Sequence, residues 1–365
     1  MQLFQSLEQA AANPAPSVVT IGSFDGIHLA HRELLRRVRT RGARQGAVSV
    51  AITFEPHPLR VLAPQKAPQL LTPHVVRLEL LAASGVDRLL VLPFTRDFSL
   101  WPPERFVEEV LAKTLRASAV IVGDNFHFGY RAAGDVALLT ELGKQWGFET
   151  EILPTLHMRR MPVSSSQIRS LLEQGNIGRA NRLLGRPFSV RHSVESGLGI
   201  GRSQTVPTLN LAPYGELLPA TGVYITETRI IETRSPVGAQ KSESERDKEP
   251  AVPAPEPDTR HLPLPPLLRS VTNVGYRPTF VERALGVETH LLEPYSGPPP
   301  ARIEVQFRYR LRDERKFDSA ELLKAQILRD IRRSEAYFRR LDHFTGAASS
   351  LQPGHNSSNA EESTP

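Results

Sequence analysis

A chain of 365 residues has room for two domains of ordinary size. It holds no cysteine, which excludes a disulfide framework, a thiolate metal site and a cysteine nucleophile, and fits a reducing compartment. Lys and Arg number 45 against 39 acids, a net charge of +6 suited to polyanionic partners of any size, and no apolar run nears the roughly 18–20 residues of a membrane span. With no basic or apolar leader in MQLFQSLEQAAANPAPS, the expectation is a soluble cytoplasmic protein without a membrane partner.

From Ser17 to about Leu184, short apolar runs alternate with helical stretches. SVVTIG, AVSVAITF, RLLVLPF, AVIVGD and TEILP predict strands, and HRELLRRVRT, HVVRLELLAAS, PERFVEEVLAKTL, VALLTELGKQW and SQIRSLLEQG predict helices. Such alternation predicts an α/β domain over 1–185, a doubly wound, Rossmann-like parallel sheet. Ligands of these sheets sit beyond the carboxyl ends of the strands, so the loops after TIG, TF and VIVG are where chemistry is sought.

After GRPFSV the pattern becomes mainly β-type: VYITETRII, SVTNVGY, VETHLLE and ARIEVQFRYRL, with turn residues between. The expectation for 186–345 is a small β-barrel followed by a C-terminal helix, SAELLKAQILRDIRRSEAYFRRL, whose Leu322, Leu323, Ile327, Ile331 and Phe338 should pack against it. Residues 231–268 carry 5 basic and 7 acidic side chains, 8 prolines and no aromatic, a composition expected to be a disordered insertion between two barrel strands. The tail, 346–365, is expected to be disordered as well.

Two segments of the first domain have the chemistry of phosphate sites. In Thr20–His31 a buried strand runs through Gly22, Phe24 and Gly26 into a helix starting near His28, where free backbone N–H groups and the helix dipole attract phosphate. His28 and His31, three apart, share one helical face and can both donate to phosphoryl oxygens. A plain turn with two surface histidines is the alternative, and a zinc site is a second one, although H-x-x-H lacks the usual i, i+4 pair and a third ligand. Val163–Arg169 places Ser164, Ser165 and Ser166 at another helix start with Arg169 one turn in. Capping explains one hydroxyl there but not three hydroxyls and an arginine. Two such helix starts in one sheet fit a nucleoside triphosphate.

GSFDGIHLAH, TFEPHP, VGDNFHFG, VSSSQIR and LLGRPF occur in this order, and on them the sequence resembles the bacterial bifunctional riboflavin kinase and FMN adenylyltransferase (FAD synthetase) family from about residue 15 to 342. The resemblance implies that His28, His31 and Arg169 act on ATP phosphates, that Gly22, Phe24, Gly26, Ser164 and Ser165 bind the nucleotide, and that Asn125 holds the flavin, with Phe126 or Phe128 stacking on it or packing in the core. It departs from the family at Ala30, where Gly is usual, and at His127, where Arg is common.

In the barrel, Gly197–Arg202 looks like a dinucleotide fingerprint, but Pro207 and β-type sequence follow where a helix is required. Thr208 and Asn210 in PTLN put a hydroxyl and an amide oxygen two apart, on one side if extended, a spacing that suits Mg2+; taken alone, PTLN reads more readily as a turn. The family's riboflavin kinase half implies Thr208 and Asn210 as metal ligands, Arg202 on the nucleotide, Arg277 of GYRPTF near the flavin, and Glu288 of ETHLL as the base; Thr205 stands where Gly is usual. The implied cofactor is Mg2+, with ATP as substrate and riboflavin, FMN and FAD as the other small-molecule partners, without nucleic acid. A single-activity adenylyltransferase with a silent barrel and a basic RNA-binding protein are the alternatives.

Overall fold

The computed structural model describes residues 1–195, 206–234, 265–276 and 285–349. The chain forms two compact units, one of 1–188 with Tyr214–Ala220, the other of Ser189–Pro213 with the chain from Thr221 onward.

The first unit is built on a six-stranded sheet of β1 (Gln2–Phe4), β2 (Ser17–Ile21), β3 (Val48–Glu55), β4 (Arg88–Pro93), β5 (Ala117–Gly123) and β6 (Glu149–Leu153). Every pairing is parallel, in the order β1-β4-β3-β2-β5-β6. Strands covered on both faces are mainly apolar, and β2, SVVTI, is buried at every position. β1 escapes a sequence reading because its three residues bury only Phe4.

Between the strands run α1 (Leu7–Ala11), α2 (Leu29–Gln45), α3 (Pro58–Leu62), α4 (His74–Ala83), α5 (Pro103–Phe106) and α6 (Val136–Trp146). The segment expected as one helix after Pro103 widens to π geometry over Val107–Thr114, where Leu115 N–H reaches back five residues to Val110 O at 3.0 Å. A two-residue hairpin, β7 (His157–Met158) and β8 (Met161–Pro162), precedes α7 (Ser165–Glu173) and α8 (Ile177–Leu184). From β2 the chain builds outward to β3 and β4, then returns to the other side as β5 and β6. The reversal point lies between β2 and β5, whose following loops hold Gly22–His31 and Asp124–Phe128.

The second unit is a closed barrel in the order β10-β13-β12-β11-β14-β9, formed by β9 (Phe188–Glu195), β10 (Leu209–Leu211), β11 (Gly222–Thr233), β12 (Leu267–Tyr276), β13 (Leu285–Leu291) and β14 (Pro300–Arg312). One face of its wall is a ladder of fully buried hydroxyls. Thr226 pairs with Ser270 (2.8 Å) and Thr272 (2.7 Å), Thr228 with Ser270 (2.8 Å), and Thr272 with Thr289 (2.9 Å). The four contacts link five hydroxyls in one chain, so Ser270, Thr226 and Thr272 each have two partners and the end members, Thr228 and Thr289, one.

Two expectations are corrected here. The edges of the expected insertion are strand: β11 continues to Thr233, paired with Pro300, and β12 starts at Leu267, paired with Arg229. Its middle, 235–264, lies outside the described residues. The C-terminal helix, α9 (Ala320–Ser349), is longer than expected and does not dock by the apolar stripe alone. Leu322 is 52% exposed, whereas Gln326, Asp330, Ser334 and Phe338 form the buried i, i+4 stripe. The reason is an arginine on the barrel: Arg312 reaches Asp330 at 2.9 Å, and Gln326 Nε2 donates to the same carboxylate at 2.8 Å.

Candidate active sites

β2 ends at Ile21, and Gly22 N–H donates to Ile52 O of β3 at 3.0 Å. The chain then turns through Phe24, Gly26 and Ile27 at φ of 48°, 83° and 40°. Gly26 suits its place twice over, since this backbone costs it little and an added Cβ would stand 2.8 Å from Leu71 Cδ1. For Phe24 and Ile27 the same backbone costs about 1–2 kcal/mol each, and complete burial of both side chains in the core below α2 offsets it. The buried Phe24 ring stands edge-on to His31, centroids 5.2 Å apart.

The turn is held from one point. Asp25, wholly buried, accepts hydrogen bonds from Leu71 N (3.0 Å), Thr72 N (3.0 Å), Thr72 Oγ1 (3.2 Å) and Arg169 Nη2 (2.6 Å). Ser165 Oγ donates to Asp25 O at 2.9 Å, and Arg186 Nη1 to Gly26 O at 2.7 Å. The starts of α2 and α7 are thus fastened to the same turn. From below, Arg77 of α4, also wholly buried, donates to Ser23 O (3.4 Å), Phe54 O (3.3 Å) and Glu55 Oε2 (2.5 Å).

His28 caps α2: its Nδ1 accepts His31 N–H at 3.4 Å, so the neutral ring carries its proton on Nε2. The rings of His28 and His31 are stacked, 3.6 Å between centroids and 16° between planes, and His31 Nδ1 is buried without a partner. Burial first, then the charges of Arg186 and Arg169, lower the His28 pKa to about 4. Burial first, then His28, puts His31 well below its ordinary value. Both rings are neutral at pH 7, and the charges that act on His28 are the positive ones of Arg186 and Arg169. At only 3% exposure, His28 contradicts the surface-histidine alternative. Zinc is opposed by a backbone bond on His28 Nδ1 and by the lack, among the described residues, of any His, Cys, Asp and Glu group able to hold a metal.

Across the reversal point, Asn125 is exposed beyond β5, its carbonyl 3.0 Å from His127 Nδ1. Phe128 belongs to the core and Phe126 stacks on it, centroids 5.4 Å apart, half-buried. Ser164 is the N-cap of α7, accepting from Gln167 N at 3.2 Å.

In the barrel, β10 lies between β9 and β13, with Asn210 opposite Glu195 on one side and Glu288 on the other. Glu288 in turn stands opposite Asn273 of β12. Directly opposed residues share a face, so these four side chains form one polar row, backed by the hydroxyl ladder. His290 Nδ1, 2.8 Å from Pro207 O, fastens the chain just before exposed Thr208. Arg202, Thr205 and Arg277 lie outside the described residues. The oxygen donors of Thr208 and Asn210 beside a carboxylate fit a hard cation such as Mg2+.

Sequence reasoning assigned no role to Asp25, Arg77 or Arg186. Their signals are partners 46, 22 and 160 positions away, invisible to local pattern.

A family model described as FAD synthetase matches residues 10–167, and one described as riboflavin kinase matches residues 184–338. The bifunctional riboflavin kinase/FMN adenylyltransferase of Escherichia coli strain K12 is 32% identical over 339 residues, covering 93% of this chain and 98% of its own length. That of Pseudomonas fluorescens is 32% identical over 338 residues, covering 92% and 97%. A solved structure described as a macrolide-efflux protein from Streptococcus pneumoniae superposes with a TM-score of 0.74 at 25% identity, over 91% of this chain and 98% of that one. No helix among the described residues is long and apolar enough to cross a membrane. The two family models in series and the relatives matched along nearly their whole length place the chain in the bifunctional riboflavin kinase/FMN adenylyltransferase family.

Proposed function

We propose that the protein phosphorylates riboflavin to FMN with ATP in its barrel, and adenylylates FMN to FAD with a second ATP in its parallel-sheet unit, releasing pyrophosphate. The observation that carries the reading is the stacked, neutral His28–His31 pair at the start of α2, with the Asp25-held Arg169 beside it.

In adenylyl transfer, an oxygen of the FMN phosphate attacks the α-phosphorus of ATP while the bond to the bridging oxygen of pyrophosphate breaks. The nucleophile is already an anion, so no base is needed and catalysis is positioning plus neutralisation of developing charge. His28 Nε2–H donates to a phosphate oxygen, and the turn N–H groups and Arg169 add positive potential. Ser164 and Ser165 fix α7, Gly22 and Gly26 let the backbone approach, and Asn125 meets the flavin side.

In the kinase reaction the nucleophile is the neutral ribityl 5′-hydroxyl. Glu288 takes its proton as the oxygen attacks the γ-phosphorus and ADP leaves, a contribution of about 10²- to 10⁴-fold. Thr208 and Asn210 would hold Mg2+, which would supply positive charge to the phosphates of ATP. Arg202 binds the nucleotide and Arg277 the flavin. Incubating the purified protein with riboflavin, ATP and Mg2+ and separating the flavins by chromatography tests the proposal: FMN appears first and FAD follows. No flavin turnover together with retention of RNA contradicts it.

A further inference from the structure

Between β10 and β11 the chain spends seven residues, Tyr214–Ala220, in the parallel-sheet unit, although they fall inside the region matched by the riboflavin kinase family model. This strap lies against residues 69–72, a stretch with no helix or strand of its own in which Leu70, Leu71 and Thr72 are almost wholly buried. Buried irregular backbone must have its polar groups answered, and here they are answered from two sides. Glu216 Oε2 accepts Leu70 N–H at 2.8 Å, and Leu217 N–H donates to Leu70 O at 3.2 Å. The next two amides, Leu71 and Thr72, go to Asp25, and Arg169 Nε donates to Gln69 O at 3.0 Å. Three consecutive N–H groups are therefore divided between Glu216 and Asp25, the carboxylate that fastens the turn before His28.

The strap is anchored to do this. Leu217 and Leu218 are buried, Ala220 N–H donates to Leu172 O of α7 at 2.9 Å, and Glu216 Oε1 meets Arg60 at 2.6 Å. Tyr214 belongs to the same neighbourhood: burial first, then the charges of Glu216 and Asp25, push its phenol up.

We propose that Glu216 is a positioning residue for adenylyl transfer: by holding Leu70 it sets the amides that grip Asp25, and through Asp25 the ATP-binding turn and Arg169. The proposal rests on the adenylyltransferase reading of this unit. It assigns to that reaction a residue that a division of the chain at 185 assigns to the kinase.

The test uses full-length variants and measures FMN adenylylation and riboflavin phosphorylation separately. In Glu216→Ala the KM for ATP in adenylylation rises about tenfold, with kcat changed less than about threefold and phosphorylation within about twofold of wild type. Glu216→Gln, whose amide oxygen still accepts Leu70 N–H, restores most of the loss, and Arg60→Ala behaves like wild type. If Glu216→Ala does not fold, Glu216→Asp carries the test, because it keeps the charge but withdraws the oxygens from Leu70, and a raised KM for ATP is expected there too. An unchanged KM for ATP, an equal fall in both activities, or Glu216→Gln as impaired as Glu216→Ala overturns the proposal. Wild-type protein that makes no FAD from FMN and ATP instead contradicts the reading on which it rests.

Discussion

Arg169 Nη2 lies 2.6 Å from Asp25 Oδ2, and that bond ties the first turn of α7 to the loop that starts α2. Asp25 is wholly buried and Arg169 nearly so, 14% exposed at the side chain. Removing one charge of such a pair strands the other at a cost of about 3–5 kcal/mol. Asp25→Asn is accordingly expected to lower the urea midpoint of the parallel-sheet unit and to cut FMN adenylylation about 10²-fold, leaving riboflavin phosphorylation intact. Parallel denaturation curves and separate assays of the two reactions check this.

The depressed pKa of His28 makes stability depend on pH. Folded, the group titrates near 4; unfolded, it titrates near the ordinary 6.5. Between those values the unfolded chain binds the extra proton, so the stabilisation is complete above about pH 6.5 and is lost as pH falls toward 4. For His28 the loss is on the order of 3 kcal/mol. His28→Asn keeps an N-cap acceptor and removes the titration. Urea midpoints at pH 7, 6 and 5 are expected to fall less steeply in the variant than in the wild type, and identical slopes contradict the assignment.

The docking of α9 gives a contrast between a polar and an apolar residue on one helix. Asp330 is 2% exposed and paired with Arg312, while Leu322 is 52% exposed. Asp330→Ala is expected to cost the barrel about 3 kcal/mol, and Leu322→Ser less than about 0.5 kcal/mol. Thermal melting followed by circular dichroism separates the two.

That contrast also shows where the sequence is legible. Parallel strands buried on both faces read as near-continuous apolar runs, and β2, β3, β4 and β5 are visible as such. A glycine-loosened turn followed by two histidines at helical spacing is visible in the local pattern, because all of its residues lie within one short segment, and it is there that phosphate is expected. Arg77 is the opposite case: it is a charge on the buried face of HVVRLELLAA, and its distant partners, the carbonyls of Ser23 and Phe54 and the carboxylate of Glu55, explain its burial. Asp25 and Glu216 are hidden for the same reason, since each answers backbone groups at 69–72 from far along the chain. On α9 the apolar spacing holds, but Arg312 draws Gln326 and Asp330 inward. β10, three residues long, is too short to show a period, although it brings Asn210 to Glu288.

Two separate reactions are expected to belong to two separate sets of side chains, and measuring both reactions in Glu288→Gln and in His31→Ala separates them. Glu288→Gln is expected to lower riboflavin phosphorylation by about 10²- to 10⁴-fold while FAD is still made from supplied FMN. His31→Ala is expected to abolish FAD formation while FMN accumulates from riboflavin. Equal damage to both activities by either change contradicts the division of the two reactions between these side chains.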